Sequence, residues 1–66
     1  MNITLNGKDY ALKEPVSVQG LVDLLGLEKT QVAIELNRAI VSRSRYADVM
    51  IQPSDELEIV TFIGGG

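Results

Sequence analysis

The chain has 66 residues, a net charge of −3 and no cysteine, histidine or tryptophan. A chain this short buries only about 60% of its unfolded surface and supports one modest core, which argues against an enzyme with a deep catalytic cleft. The missing residue types exclude disulfides, a thiol nucleophile and thiolate metal sites, and they remove the usual general base and the commonest metal ligand.

Residues 1–13 read as a β-hairpin. Met1, Ile3 and Leu5 alternate with Asn2, Thr4 and Asn6, the period of a half-buried strand. Asn6-Gly7 is a strong hairpin signal because a type I′ turn needs positive φ at both central positions. With that turn Leu5 faces Lys8, Ile3 faces Tyr10 and Met1 faces Leu12, so the apolar residues share one face. Glu14-Pro15-Val16 breaks the strand, and Ser17 is a natural helix N-cap. Val18, Leu21, Val22 and Leu25 then follow at helical spacing, with Leu24 expected to widen the stripe. Gly26 is placed to stop the helix over 18–25, while Gly20 inside it has no sequence-level reason. A helix this short is marginal alone in water and must pack on the sheet.

After a connection over 27–31, residues 32–36 read as a strand, Asn37-Arg38 as a turn and 39–41 as a short return strand. Residues 42–50 read as irregular, with Tyr46 and Val49 folding back onto the core. Arg38, Arg43 and Arg45 gather here and read as a solvated loop. Gln52-Pro53-Ser54-Asp55 is a further turn cluster. Residues 57–63 form the last strand, with Leu57, Ile59 and Ile63 on one face and Glu58, Val60 and Phe62 on the other. A strand apolar on both faces is commonly central, yet one short helix covers only one face. Val60 and Phe62 are therefore candidates for an exposed partner-binding patch, unless residues 42–50 fold beneath the sheet and cover them.

The sequence closes on Ile63-Gly64-Gly65-Gly66. Residues 1–63 read as one domain and residues 64–66 as an extended, flexible tail. Three glycines span roughly 10 Å without side chains, enough to enter a partner's active-site channel. Without cysteine or histidine, covalent chemistry falls to a hydroxyl, a lysine, a side-chain carboxylate or the chain terminus. Among these the Gly66 carboxylate is presented in an unusual way. It is ionised at neutral pH, with an α-carboxyl pKa near roughly 3.3–3.7, and is a poor electrophile until activated, for instance as an acyl-adenylate. The competing reading is a frayed end. The acidic balance, with a pI of about 4.6, argues against nucleic acid, whose phosphates demand clustered basic residues. The polar Met-Asn-Ile-Thr start lacks the apolar region of a signal peptide, and no apolar run approaches the roughly 18 residues of a membrane helix. A cytoplasmic protein with no membrane partner is the expectation.

The order strand, strand, helix, strand, strand, strand with a diglycine end resembles the ubiquitin-like β-grasp fold, an α+β class with a mixed four- to five-stranded sheet on one helix. Along nearly its full length the chain resembles the ThiS family of sulfur carriers of thiamine biosynthesis. The residues that carry the likeness are the first strand with Asn6-Gly7, then Val18-Gln19-Gly20-Leu21-Val22-Asp23-Leu24-Leu25. They continue with Val32-Ala33-Ile34-Glu35-Leu36-Asn37, Ile40-Val41, Arg43, the run from Asp55 to Ile59, and Gly65-Gly66. Two positions depart from the family pattern: Ser54 stands where Gly often precedes Asp, and Tyr46 where Trp is frequent. The resemblance implies that a ThiF-like adenylyltransferase, using ATP and magnesium, converts the Gly66 carboxylate to an acyl-adenylate. Sulfur from a cysteine-derived persulfide then replaces AMP, and a ThiG-like thiazole synthase takes it from the resulting thiocarboxylate. It further implies that Gly64 and Gly65 thread the partner's channel, that Val60 and Phe62 dock beside it, and that this chain binds no cofactor or metal and is a carrier rather than an enzyme. A molybdopterin-type sulfur carrier, a ubiquitin-like modifier and a plain interaction module remain alternatives.

Overall fold

The computed structural model describes residues 1–62. The predicted tail, residues 64–66, and the final residue of the predicted strand 57–63 lie outside them. Strands β1 (Asn2–Leu5) and β2 (Lys8–Ala11) precede helix α1 (Val18–Leu24), and β3 (Val32–Leu36), β4 (Ala39–Ile40) and β5 (Glu56–Thr61) follow it. The five strands form one mixed sheet in the order β2-β1-β5-β3-β4. β5 is central, parallel to β1 and antiparallel to β3, as its two-sided apolar pattern predicts.

The hairpin has the predicted register: Leu5 pairs with Lys8 and Ile3 with Tyr10, and the Met1 and Leu12 backbones exchange two hydrogen bonds. Asn6 and Gly7 both carry positive φ, at 51° and 81°, as a type I′ turn requires. The inward residues Ile3, Leu12, Leu57, Ile59, Val32 and Ile34 meet Val18, Leu21 and Val22 of the helix in one core. Burial of each such side chain contributes about 1.5–3 kcal/mol.

The start of the helix shows what residues 42–50 are for. The first N–H groups of a helix have no intrahelical acceptor, and here each finds one nearby. Val18 donates to the Val49 carbonyl, Gln19 to that of Tyr46, and Gly20 to the Ser17 hydroxyl. The segment, which opens with a 3-10 turn at Arg43–Arg45, thus lies against the helix N-terminus, and Tyr46 is buried there in the core. The tyrosine that stands where the family often has tryptophan is a core residue. At the other end Gly26 (φ 71°) donates to Asp23 and Leu27 to Val22, the paired bonds of a Schellman stop. Gly20 also gains a reason: a Cβ there would lie 3.1 Å from the Val16 Cβ.

Two expectations, for Leu24 and Arg43, need correction, and Ser54 shows why its position favours glycine. Leu24 does not widen the buried stripe but is 60% exposed. It overhangs the edge strand β2, where it borders a shallow groove with Tyr10, Leu12 and Val16. Arg43 is not simply solvated: its guanidinium donates to the carbonyls of Lys29, Thr30 and Val32, tying the 42–50 segment to the start of β3. Ser54 adopts φ 70°, the left-handed region that suits glycine, while its N–H donates to Asn2.

Two measurements check this packing. Leu21→Ala, at a fully buried position, should cost about 2–5 kcal/mol in urea unfolding, and a loss under about 1 kcal/mol would mean the core is misassigned. Ser54→Gly should instead raise stability by up to about 1 kcal/mol, because relief of left-handed strain exceeds the added backbone entropy. A destabilised Ser54→Gly protein would show that the serine side chain supports the turn.

Candidate functional site

The site is the end of β5, from which the chain leaves the sheet. The backbone there is fastened as far as it is described: Thr61 pairs with Val32, and the Phe62 N–H donates 2.8 Å to the Gln31 carbonyl. Gln31 ends the short 3-10 turn Lys29–Gln31, whose carbonyls Arg43 holds from behind. Arg43 therefore steadies the shelf on which Phe62 rests.

The other edge of β5 is fastened by a side chain. β1 pairs with β5 at Thr4 and Leu5, and then the hairpin turn carries the backbone away. Asn6 continues the ladder: its N–H donates to Leu57, its side-chain amide donates 3.2 Å to the Ile59 carbonyl, and its side-chain carbonyl accepts at 2.7 Å from the Ile59 N–H. Asn37 repeats the device at the start of β5. Its φ is also 51°, its N–H donates to Glu56, and its side-chain oxygen accepts from the Glu56 N–H at 2.9 Å. Short amide side chains tolerate the left-handed conformation that both turns need, so one residue type serves the turn and the ladder together.

Val60 and Phe62 are 57% and 49% exposed, the predicted pair of apolar side chains on the uncovered side. Residues 42–50 do not cover them, since that segment lies at the helix N-terminus. The cross-strand register places Ala33 beside Val60 and Ile40 beside Glu35. Ile40, 73% exposed, thus joins the outer face that sequence reasoning had limited to β5. Phe62 also borders a groove with Leu27, Gln31 and Val32. Gly64, Gly65 and Gly66 lie outside the described residues.

Among the described residues no cluster of three acidic side chains is placed to hold a metal ion, and none of the helices is long and apolar enough to cross a membrane. The sequence marked Asn6 and Asn37 only as turn formers. The available signal was asparagine, rather than aspartate or glycine, at the first position of both turns.

The ThiS family model matches residues 3–66. A thiazole synthase from Magnetococcus marinus is 42% identical over the whole of this chain, which spans only 20% of that larger protein. The sulfur carrier protein ThiS of Bacillus subtilis is 38% identical, the alignment covering 97% of this chain and 98% of that one. Among solved structures, a crystal structure of the thiamine biosynthesis protein ThiS from Geobacter metallireducens superposes with a TM-score of 0.85 at 30% identity, each chain covered completely. A family match over nearly the whole chain, a carrier aligned end to end and a common fold lead to one conclusion: the chain belongs to the ThiS family.

Proposed function

We propose that this chain carries sulfur for thiazole formation in thiamine biosynthesis, as a thiocarboxylate on the terminal carboxyl of Gly66. The observation that carries the reading is the family match, which runs from residue 3 through residue 66 and so includes the glycine end. As a ThiS-family protein the chain is a carrier rather than an enzyme. The likeness to part of a thiazole synthase supports an enzyme of that class as the one that takes the sulfur.

In this reading a ThiF-like adenylyltransferase binds ATP and magnesium, and the Gly66 carboxylate attacks the α-phosphorus as pyrophosphate departs. The mixed anhydride so formed makes the carbonyl electrophilic. The terminal sulfur of a cysteine persulfide displaces AMP to give an acyl disulfide with the donor. A thiol reductant then cleaves its S–S bond, leaving the Gly66 thiocarboxylate and the donor as a disulfide. The chain's part is to present the carboxylate. Gly64 and Gly65 keep the last stretch narrow enough for a channel, since neither carries a Cβ. Val60 and Phe62 supply the apolar contact that a glycine tether lacks, because interface energy concentrates in a few apolar or aromatic anchors.

Two experiments test these roles. Deleting Gly66, or replacing Gly65 with a bulky residue, should abolish adenylation and thiocarboxylate formation in a reconstituted assay while the unfolding transition stays unchanged. A Gly66-deleted chain that still accepts sulfur contradicts the proposal. Phe62→Ala should weaken binding to the cognate thiazole synthase by about thirtyfold, the equivalent of roughly 2 kcal/mol, with little loss of stability. Ile59→Ala, at a position only 8% exposed, should reverse that pattern and cost about 2–5 kcal/mol of folding free energy. If Phe62→Ala unfolds the protein and leaves the affinity of the folded fraction untouched, the docking site lies elsewhere.

A further inference from the structure

The outer face of the sheet carries a charge arrangement that the fold itself does not need. Glu35 of β3 stands directly opposite Glu58 of β5, and Ile40 of β4 stands opposite Glu35 on its other side. One step along, Ala33 faces Val60. The row Ile40, Glu35, Glu58 therefore adjoins the row Ala33, Val60, with Phe62 beyond. Like charges directly opposite on neighbouring strands are destabilising, and nothing within the described residues offsets this pair. The ion pair found on the face joins Arg38 to Glu56 at 3.8 Å, and among the described residues neither Glu35 nor Glu58 makes a side-chain hydrogen bond. Both carboxylates are exposed, so neither serves the core.

We infer that this face receives a partner surface on which apolar side chains are interspersed with arginine or lysine, the cations pairing with Glu35 and Glu58 as Val60 and Ile40 are covered. The inference rests on the docking role proposed for Val60 and Phe62 and adds the sign of charge that the partner must carry. Charge also selects the occupant. A second copy of this chain, itself at −3, would bring this pair of glutamates against an identical pair. A basic apolar surface instead relieves the repulsion as it binds. Complementary charge of this kind acts mainly on the encounter rate and is screened by salt.

The test measures association of the unmodified chain with its cognate thiazole synthase at low and high ionic strength, using Glu35→Gln/Glu58→Gln and, separately, Phe62→Ala. The double variant should bind about tenfold more weakly at low salt, mostly through a slower association rate, and the difference should shrink at high salt. Its urea midpoint should equal or exceed that of the parent, since the repulsion is gone. Unchanged affinity and salt dependence, with Phe62→Ala still impaired, would overturn the charge assignment and leave the docking site standing. If Phe62→Ala is also without effect, the docking reading falls with it. Tighter binding by the double variant would assign the partner the opposite charge.

Discussion

Strand β5 is held along both edges and on one face, and the rest of the molecule is arranged to hold it. β1 lies parallel on one side and β3 antiparallel on the other, while α1 covers Leu57 and Ile59. A central strand satisfies its backbone groups only if partners run its full length, because an unpaired buried N–H or C=O is costly. β1 ends too early for that, and the Asn6 side chain supplies the two missing bonds to Ile59. The consequence reaches the end of the strand. Val60 to Phe62 are held in a fastened position, with the Phe62 N–H bonded to Gln31.

That arrangement divides the sheet into two unlike faces. The inner one is a small core in which helix, hairpin and the 42–50 segment meet around Tyr46, Leu21 and Ile51. The outer one has no covering layer among the described residues and carries Ile40, Val60 and Phe62 among carboxylates. In a 66-residue chain apolar surface is scarce, and leaving three large side chains outside forgoes stability that a second layer would supply. The loss is understandable if those side chains meet a partner. In the proposed role the carrier binds its partners and is then released, and a modest exposed patch suits that better than a deep pocket.

Much of this was legible in the sequence because local signals and the global pattern agreed. The Asn6-Gly7 turn and the alternation of Met1, Ile3 and Leu5 set one register between them, and the two-sided strand near the end set its own place in the sheet. Exposure of Val60 and Phe62 followed from parity and from having one helix to cover one face. What escaped the sequence depended on long-range contact. No local rule tells that Asn6 reaches Ile59, more than fifty residues away, or that Arg43 turns back to the carbonyls before β3. Gly20 depends on Val16 folding close to the helix, and Leu24 is exposed beside the edge strand β2. Gly66, which the sequence singles out, lies outside the described residues.

The proposed role requires sulfur to travel on the terminal carboxyl of this chain. Intact mass spectrometry of the protein isolated from thiamine-producing cells, followed by fragmentation of its C-terminal peptide, tests this. The expected species is heavier by the replacement of one oxygen with sulfur, the change confined to Gly66 and lost when the activating enzyme is removed. Chains joined through Gly66 to lysines of other proteins, with no sulfur-bearing species, would contradict it and identify a modifier instead.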